Sequence, residues 1–413
     1  MNVFHAFLIV PLTGALITSF LPDSKPGLAG RAAALFSAAA FLMAALTLIP
    51  DDRMAPSLAL LTQGLLRAPA AVPAFVAGQL AALACVTAPV PFGAAAKPGR
   101  YYALLLAAQA ALGGIFYCSG WLLLLFWTLS AAASWLLLRT GGARSGAFGI
   151  YHALSCALCA LGVAGLAFQQ PGPWPNTALM AAAAIRMGAF PLQSWVKPAH
   201  ADSGAAHAAF LSGPLAASGL YLFALACSTA EPQTLSLASW AMLAALFYSP
   251  LAALAQTLAL PSLAFISAAG CALFALTAAL GSPSAVSAAL LGCAAQTLAP
   301  ALAALKISQP RSVANPPLLS MLALAGAPPA IVFAALFIAA ALLFSASIYL
   351  AAAAFMALAL NASAIYALPS KTAPCPSAGS GSVAGEQLAV GLLALATLAG
   401  GLFPLLPPML PPF

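Results

Sequence analysis

Residues 182–226 read AAAIRMGAFPLQSWVKPAHADSGAAHAAFLSGPLAASGLYLFALA. An arginine, Arg186, stands inside an apolar run, with Ala182–Ile185 before it and Met187–Phe190 after it. Pro191 then interrupts the run, Trp195, Lys197, Pro198 and His200 follow, and a second apolar run begins at about residue 205. A charge at membrane depth costs about 3 kcal/mol on insertion scales, so such a residue faces a protein interior and finds a partner there. Pro191 lacks a backbone donor and disturbs the preceding turn. In lipid the freed carbonyls must be satisfied by neighbouring helices or by water. A charge one turn before a helix break is the layout of an ion or substrate path. The same residues also fit an arginine snorkelling near a helix end beside an ordinary proline kink.

The rest of the chain sets that stretch in a membrane. Of 413 residues, 64% are hydrophobic and 5% are charged. Several apolar runs exceed the roughly 20 residues that cross a bilayer as a helix. The expected class is therefore an all-α polytopic membrane protein. Outer-membrane barrels are excluded, because their strands alternate with a period of two. Abundant Ala and Gly allow close helix packing. The net charge of +7 comes from basic residues scattered singly along loops, as membrane orientation requires, and does not point to nucleic acid. Eight cysteines (85, 118, 156, 159, 227, 271, 293 and 375) lie mostly in apolar runs. They read as small apolar residues, with no disulfide framework. No metal-ligand cluster stands beside the Cys156-x-x-Cys159 pair. The first apolar run has no basic leader and no small-residue cleavage site, so it reads as a retained first helix.

Fourteen spans are expected, at about 2–21, 30–49, 70–92, 101–118, 121–139, 147–169, 177–199, 205–228, 234–257, 262–281, 284–306, 317–344, 346–368 and 386–406. The seventh is broken at Pro191 and the twelfth near Pro328 and Pro329. Loops after odd-numbered spans, with the helix ends beside them, hold ten basic residues: Lys25, Arg31, Lys97, Arg100, Arg139, Arg144, Lys197, Lys306, Arg311 and Lys371. The opposite side holds Arg53 and Arg67. The positive-inside rule then places the ten in the cytoplasm and both termini outside it. The expected setting is a bacterial-type inner membrane. The two breaks lie five spans apart, which fits inverted repeats of spans 4–8 and 9–13. The corresponding division is 1–100 for the first three helices, 101–368 for a core of two repeats, and 369–413 for a Pro-, Ser- and Gly-rich loop and a last helix.

The segment Arg186-Met-Gly-Ala-Phe-Pro-Leu-Gln-Ser-Trp-Val-Lys-Pro-Ala-His200 resembles a signature of the antiporter-like membrane subunits of respiratory complex I (NADH–quinone oxidoreductase). That family includes subunits of membrane-bound hydrogenases, of formate hydrogenlyase and of Mrp-type cation/proton antiporters. Its pattern is a lysine, four residues, a proline, then H-x-W-L-P-x-A-H; here the second proline comes one position late, at Pro198, with Lys197 in its place. RYYALLLAAQAALGGIFYCSGWLLLLFWTLSAAASWLLL (100–138), LSGPLAASGLY (211–221) and LALAGAPPAIVF (322–333) are similar to the family's fourth and fifth, eighth, and broken twelfth helices. The matches run in the family's order over about residues 100–340.

The resemblance implies a polar axis at mid-membrane that carries protons. It calls for a carboxylate on helix 5, lysines on helices 7 and 8, histidines on helix 11 and a lysine or glutamate on helix 12. A lysine buried without counter-charge can titrate and so relay a proton. Carried over, these positions fall at Thr128, Arg186, about Ala217, Gln296 with Pro300, and Leu336; the histidine after the helix 7 proline falls at Gln193. Five of the six sites have lost a titratable group. The sixth is arginine, which does not deprotonate in proteins. No Asp or Glu lies in the core of spans 4–13.

The remaining path candidates are Arg186, His152, His207, Thr128, Gln193, Lys197 and His200, with Tyr151, Ser130 and Ser134 able to hold water. Each histidine also fits a hydrogen-bonded structural role, Lys197 a topology or lipid contact, and the breaks at Pro191, Pro328 and Pro329 a shaping role. The expected function is a degenerate, structural or accessory subunit of a complex-I-like or hydrogenase-type proton pump, itself without cofactor or metal. Its expected partners are sister membrane subunits and the lipid bilayer, with no nucleic acid and no soluble substrate. Two alternatives stand beside it: an active proton or cation translocator using Arg186, His152, His207 and waters, and a stand-alone small-anion transporter.

Overall fold

The computed structural model describes residues 3–22, 26–46, 71–88, 97–140, 145–170, 172–201, 203–307, 318–371 and 383–400. These form seventeen α-helices and, among the described residues, no strand. They are α1 (Val3–Ser19), α2 (Pro26–Leu46), α3 (Ala71–Thr87), α4 (Pro98–Tyr117), α5 (Gly120–Thr140), α6 (Gly146–Ala167), α7 (Trp174–Met187), α8 (Val196–Ala201), α9 (Ala205–Phe210), α10 (Ala216–Cys227), α11 (Pro232–Leu254), α12 (Ala259–Ala278), α13 (Pro283–Ile307), α14 (Leu318–Ala325), α15 (Ile331–Ala346), α16 (Ile348–Ala367) and α17 (Val383–Gly400). Helix is what an apolar chain must form in lipid, because it satisfies every backbone group internally. Prolines open α2, α4, α11 and α13, where a missing N–H has no consequence.

Among the described residues, eight segments are long and apolar enough to cross a bilayer, and three shorter apolar helices accompany them. The chain is a multi-pass membrane protein. Helices occupy the positions expected from the sequence wherever those positions are described. Residues 47–70, 308–317, 372–382 and 401–413, with the basic residues Arg53, Arg67 and Arg311 and the cysteine Cys375, lie outside the described residues, as do Lys25 and Arg144. The seven described cysteines are free thiols.

The expected boundary at residue 100 falls inside α4, because Pro98 opens that helix. The core is central in sequence as in space. The segment Ala205–Cys227 is 94% buried, α12 is 100% buried and α13 is 94% buried, whereas α2, α6 and α16 are about one third buried and form the rim. The eighth expected span is continuous but not uniform: a π turn at Leu211–Leu215, around Pro214, joins α9 to α10. A proline that cannot donate widens the turn it occupies.

Both expected breaks are present, and each begins at a glycine three residues before the proline that closes a cis peptide, Pro191 in the first and Pro329 in the second. α7 ends at Met187 and Gly188 adopts φ +68°. The Gly188 N–H reaches the Ile185 carbonyl (3.1 Å) and the Ala189 N–H the Ala184 carbonyl (2.9 Å). The Leu192 N–H then bonds to the Ala189 carbonyl (2.8 Å) after a cis Phe190–Pro191 peptide. α14 ends at Ala325 and Gly326 adopts φ +74°. Gly326 bonds to Ala323 (3.2 Å), Ala327 to Leu322 (2.9 Å) and Ala330 to Ala327 (3.0 Å), around a cis Pro328–Pro329 peptide. In both, a left-handed glycine closes the helix with paired back-bonds, so the helix stops before the proline is reached.

Candidate functional site

Arg186 lies in the last turn of α7 and is fully buried. Its Nη2–H donates to the Trp127 carbonyl at 2.9 Å, and its Nη1–H to the Ser130 hydroxyl at 2.9 Å and the Ser218 hydroxyl at 3.4 Å. The guanidinium carbon sits 3.5 Å from the centre of the Trp127 ring. A planar, weakly hydrated cation stacks on such a face. Nε has no partner. α4 to α16 contain no Asp or Glu, so every group that holds this charge is neutral.

Three helices build the cage. On α5, Trp127 and Ser130 are one turn apart and share a face. Ser218 comes from α10, which approaches α7 closely because residue 219 is glycine: a Cβ there would lie 2.9 Å from the Ala183 carbonyl oxygen. α6 supplies Ser155, which accepts from the Trp127 indole N–H (3.2 Å) and donates to the Ala182 carbonyl (2.8 Å). The last bond meets α7 one turn before Arg186.

Beside the cage is an aromatic cluster. His152 on α6 is 2% exposed and stacks on Phe148 with centroids 3.8 Å apart. Trp195 stands edge-on to His152 at 4.9 Å and donates its indole N–H to the Ile185 carbonyl at 2.8 Å. Neither ring nitrogen of His152 has a hydrogen-bond partner.

His200 on α8 is fully engaged. Its Nδ1 lies 2.8 Å from the Val196 carbonyl oxygen and its Nε2 lies 3.0 Å from the Ser212 hydroxyl oxygen, in the π turn. Ser267 of α12 donates to the Ser212 carbonyl at 2.6 Å. His207 on α9 is buried, and its Nε2 has no partner.

The other expected positions lie apart from Arg186. Thr128 is half-buried and donates to the Leu125 carbonyl of its own helix at 2.8 Å. One residue along a helix is a turn of about 100°, so the groups of α5 that meet the guanidinium are those of residues 127 and 130, on the neighbouring face. Gln193 is half-buried with an unpartnered Oε1, and Lys197 is exposed. Ser134 is spent on the Ser130 carbonyl (2.8 Å) and Tyr151 is half-buried. Ala217 and Gln296 are buried in the centre, and Leu336 is half-buried. Pro191, Pro328 and Pro329 are exposed. No group of three or more His, Cys, Asp or Glu that could hold a metal occurs among the described residues. Sequence reasoning passed over Trp127 and Trp195, the two rings that wall the site.

No family model matches the chain, and no curated protein matches it. Solved structures share its fold. A chain of respiratory complex I from Thermus thermophilus superposes with a TM-score of 0.75 at 20% identity, covering 98% of this chain and 98% of that one. A chain of the membrane-bound sulfane sulfur reductase, an archaeal respiratory membrane complex, gives a TM-score of 0.75 at 16% identity, over 97% of this chain and 76% of that one. A chain of the Mrp complex from Dietzia sp. gives 0.71 at 15% identity, over 98% and 95%.

Proposed function

We propose that this protein is an accessory membrane subunit of a redox-driven proton pump of the complex I or hydrogenase kind, and that its own mid-membrane relay is silent. The shared fold supports the setting. The observation that carries the silent reading is the state of Arg186: a permanent charge, fully buried, held by Trp127, Ser130 and Ser218, with no carboxylate on α4 to α16. A relay needs groups that gain and lose protons, and arginine does not.

The architecture in this reading is fourteen crossings with two inverted five-helix repeats, both termini outside the cytoplasm of a bacterial-type cell, and a core over 101–368. The matched glycine-closed breaks at Gly188 and Gly326 support the repeats. Lys371 supports the orientation: its ammonium donates to the Leu254 carbonyl (3.2 Å) and to the Gln256 carbonyl, so α11 and α16 end at the same level. The ninth and thirteenth spans require that. A second reading, an active translocator, draws on the chain of His200, Ser212 and Ser267, which links α8, the π turn and α12, and on the free nitrogens of His152 and His207.

Affinity purification of the tagged chain from its native membrane tests the setting. Sister antiporter-like subunits and a redox-carrying arm should come with it in fixed ratio. Recovery as a lone chain under mild detergent would contradict the proposal.

A further inference from the structure

The two breaks differ in what their backbones leave over. In the second, Gly326, Ala327 and Ala330 bond back into the chain and Pro328 and Pro329 have no N–H, so no donor from residue 326 to 330 is free. In the first, Gly188, Ala189 and Leu192 bond back, but the N–H groups of Phe190, Gln193 and Ser194 have no partner among the described residues. The Ser194 hydroxyl has none there either, and Gln193 Oε1 lacks a donor.

This polar backbone lies at membrane depth and on the surface of the bundle. α7 has 14 residues and is about 21 Å long at 1.5 Å per residue, which brings the loop short of the far side of a core roughly 30 Å thick. Phe190, Pro191 and Ser194 are exposed. Phe190 packs against Tyr248 of α11, with ring centres 4.7 Å apart, and each ring is 37% exposed. Tyr248 precedes Leu254, the end of α11, by about 9 Å, so the patch is inside the crossing and not at its rim. Irregular backbone with unpaired donors does not face lipid at that depth; it is buried in protein or lines a water-filled cavity. Two aromatic rings and a proline at the opening suit a packed helix better than a column of water. A second copy of this chain would bring the same surplus of donors to a two-fold contact, so the cover is a different chain.

We infer that the first break is an interface. A transmembrane helix of a neighbouring, different subunit covers Phe190–Ser194 and Tyr248, packs on the two rings and presents a side chain that accepts hydrogen bonds from the loop. The second break, with no donor left to satisfy, faces lipid. This inference rests on the reading of the chain as a subunit of a larger complex, and it names the surface that the chain uses there.

The test uses the complex assembled in its native membrane, with a photo-reactive phenylalanine analogue at one position at a time. At Phe190 and at Tyr248 the analogue should form an adduct with one subunit that co-purifies in fixed ratio. At Phe333, 41% exposed and just past the second break, it should form adducts with lipid alone. Two positions in the patch keep the test decisive if one replacement blocks assembly. Lipid adducts alone at Phe190 and Tyr248, adducts between two copies of this chain, no adduct of any kind as in a water-filled cavity, or the same protein adduct at Phe333 overturns the inference. Recovery as a lone chain would fail the reading beneath it as well. A chain that keeps its partners yet links only to lipid at the patch fails this inference alone.

Discussion

The two breaks in the bundle use one backbone device in two environments. At Gly188 and at Gly326 a left-handed glycine ends the helix, the same pair of back-bonds closes it, and a cis proline follows three residues on. Two residues before each glycine the resemblance stops. The first break has Arg186 there, fully buried and gripped by α5 and α10, whereas the second has Leu324, half-buried and apolar. Residues 185–189 are all buried, while of the matching residues 323–327 only Ala323 is. The same backbone device thus occurs twice in the bundle, and a buried charge accompanies only the first. A broken helix at membrane depth marks where a path can form; the side chains beside it decide whether anything moves.

The sharpest way to break the comparison is topological, since the outcome is all or none. If the halves are inverted, α7 and α14–α15 approach their breaks from opposite sides of the membrane. A single cysteine at Lys197 should label with an impermeant reagent from the cytoplasmic face, and one at Ser345 from the other face. Both sites are exposed. Labelling from the same face would remove the inverted repeat.

Next in size is the effect of adding a methyl group at each glycine. The left-handed backbone alone costs a non-glycine residue roughly 1–2 kcal/mol. At Gly188 the new Cβ would also lie 2.6 Å from Val196 Cγ2, a stiff side chain buried in the core. At Gly326 it would lie 2.5 Å from Leu336 Cδ1, the mobile end of a half-buried side chain. Gly188→Ala should therefore lower the unfolding midpoint of the assembled complex by clearly more than Gly326→Ala. Equal losses would mean that the two environments do not differ as described.

A smaller effect separates the pattern of the sequence from the packing of the helices. Ser130→Ala removes a hydrogen bond to a charged donor and should cost about 1.5–3 kcal/mol. Thr128→Ala, at the position that the family pattern singles out, should stay within about 0.5 kcal/mol, because its hydroxyl serves only its own helix. Chemical denaturation of the detergent-solubilised complex reads both. A reversed order would place the guanidinium against the wrong face of α5.

That contrast shows what the sequence made legible. Apolar runs and prolines located the helices and both breaks, since the membrane enforces length and hydrophobicity residue by residue. The cost of its charge pointed to burial of Arg186, but the sequence left snorkelling at a helix end equally open. Helix rotation did not follow: in a span as uniformly apolar as α5, no polar stripe tells Trp127 and Ser130 from Thr128. Nor did the π turn at Leu211–Leu215 follow, because Pro214 reads equally well as an ordinary kink. Trp195 was visible as part of a motif, but its bond to the Ile185 carbonyl depends on how the chain folds back after Pro191.

The central claim is that the charge at the first break holds the structure and moves nothing. Proton-to-electron stoichiometry in vesicles reconstituted with the complex, normalised to the amount assembled, addresses it for Arg186→Ala. Removing the guanidinium leaves Ser130, Ser218 and the Trp127 carbonyl without their partner, at roughly 1–3 kcal/mol, so fewer complexes should assemble. In those that do, the number of protons moved per electron should equal that of the unaltered protein. A clear fall in that ratio would contradict the account and make Arg186 part of a working path.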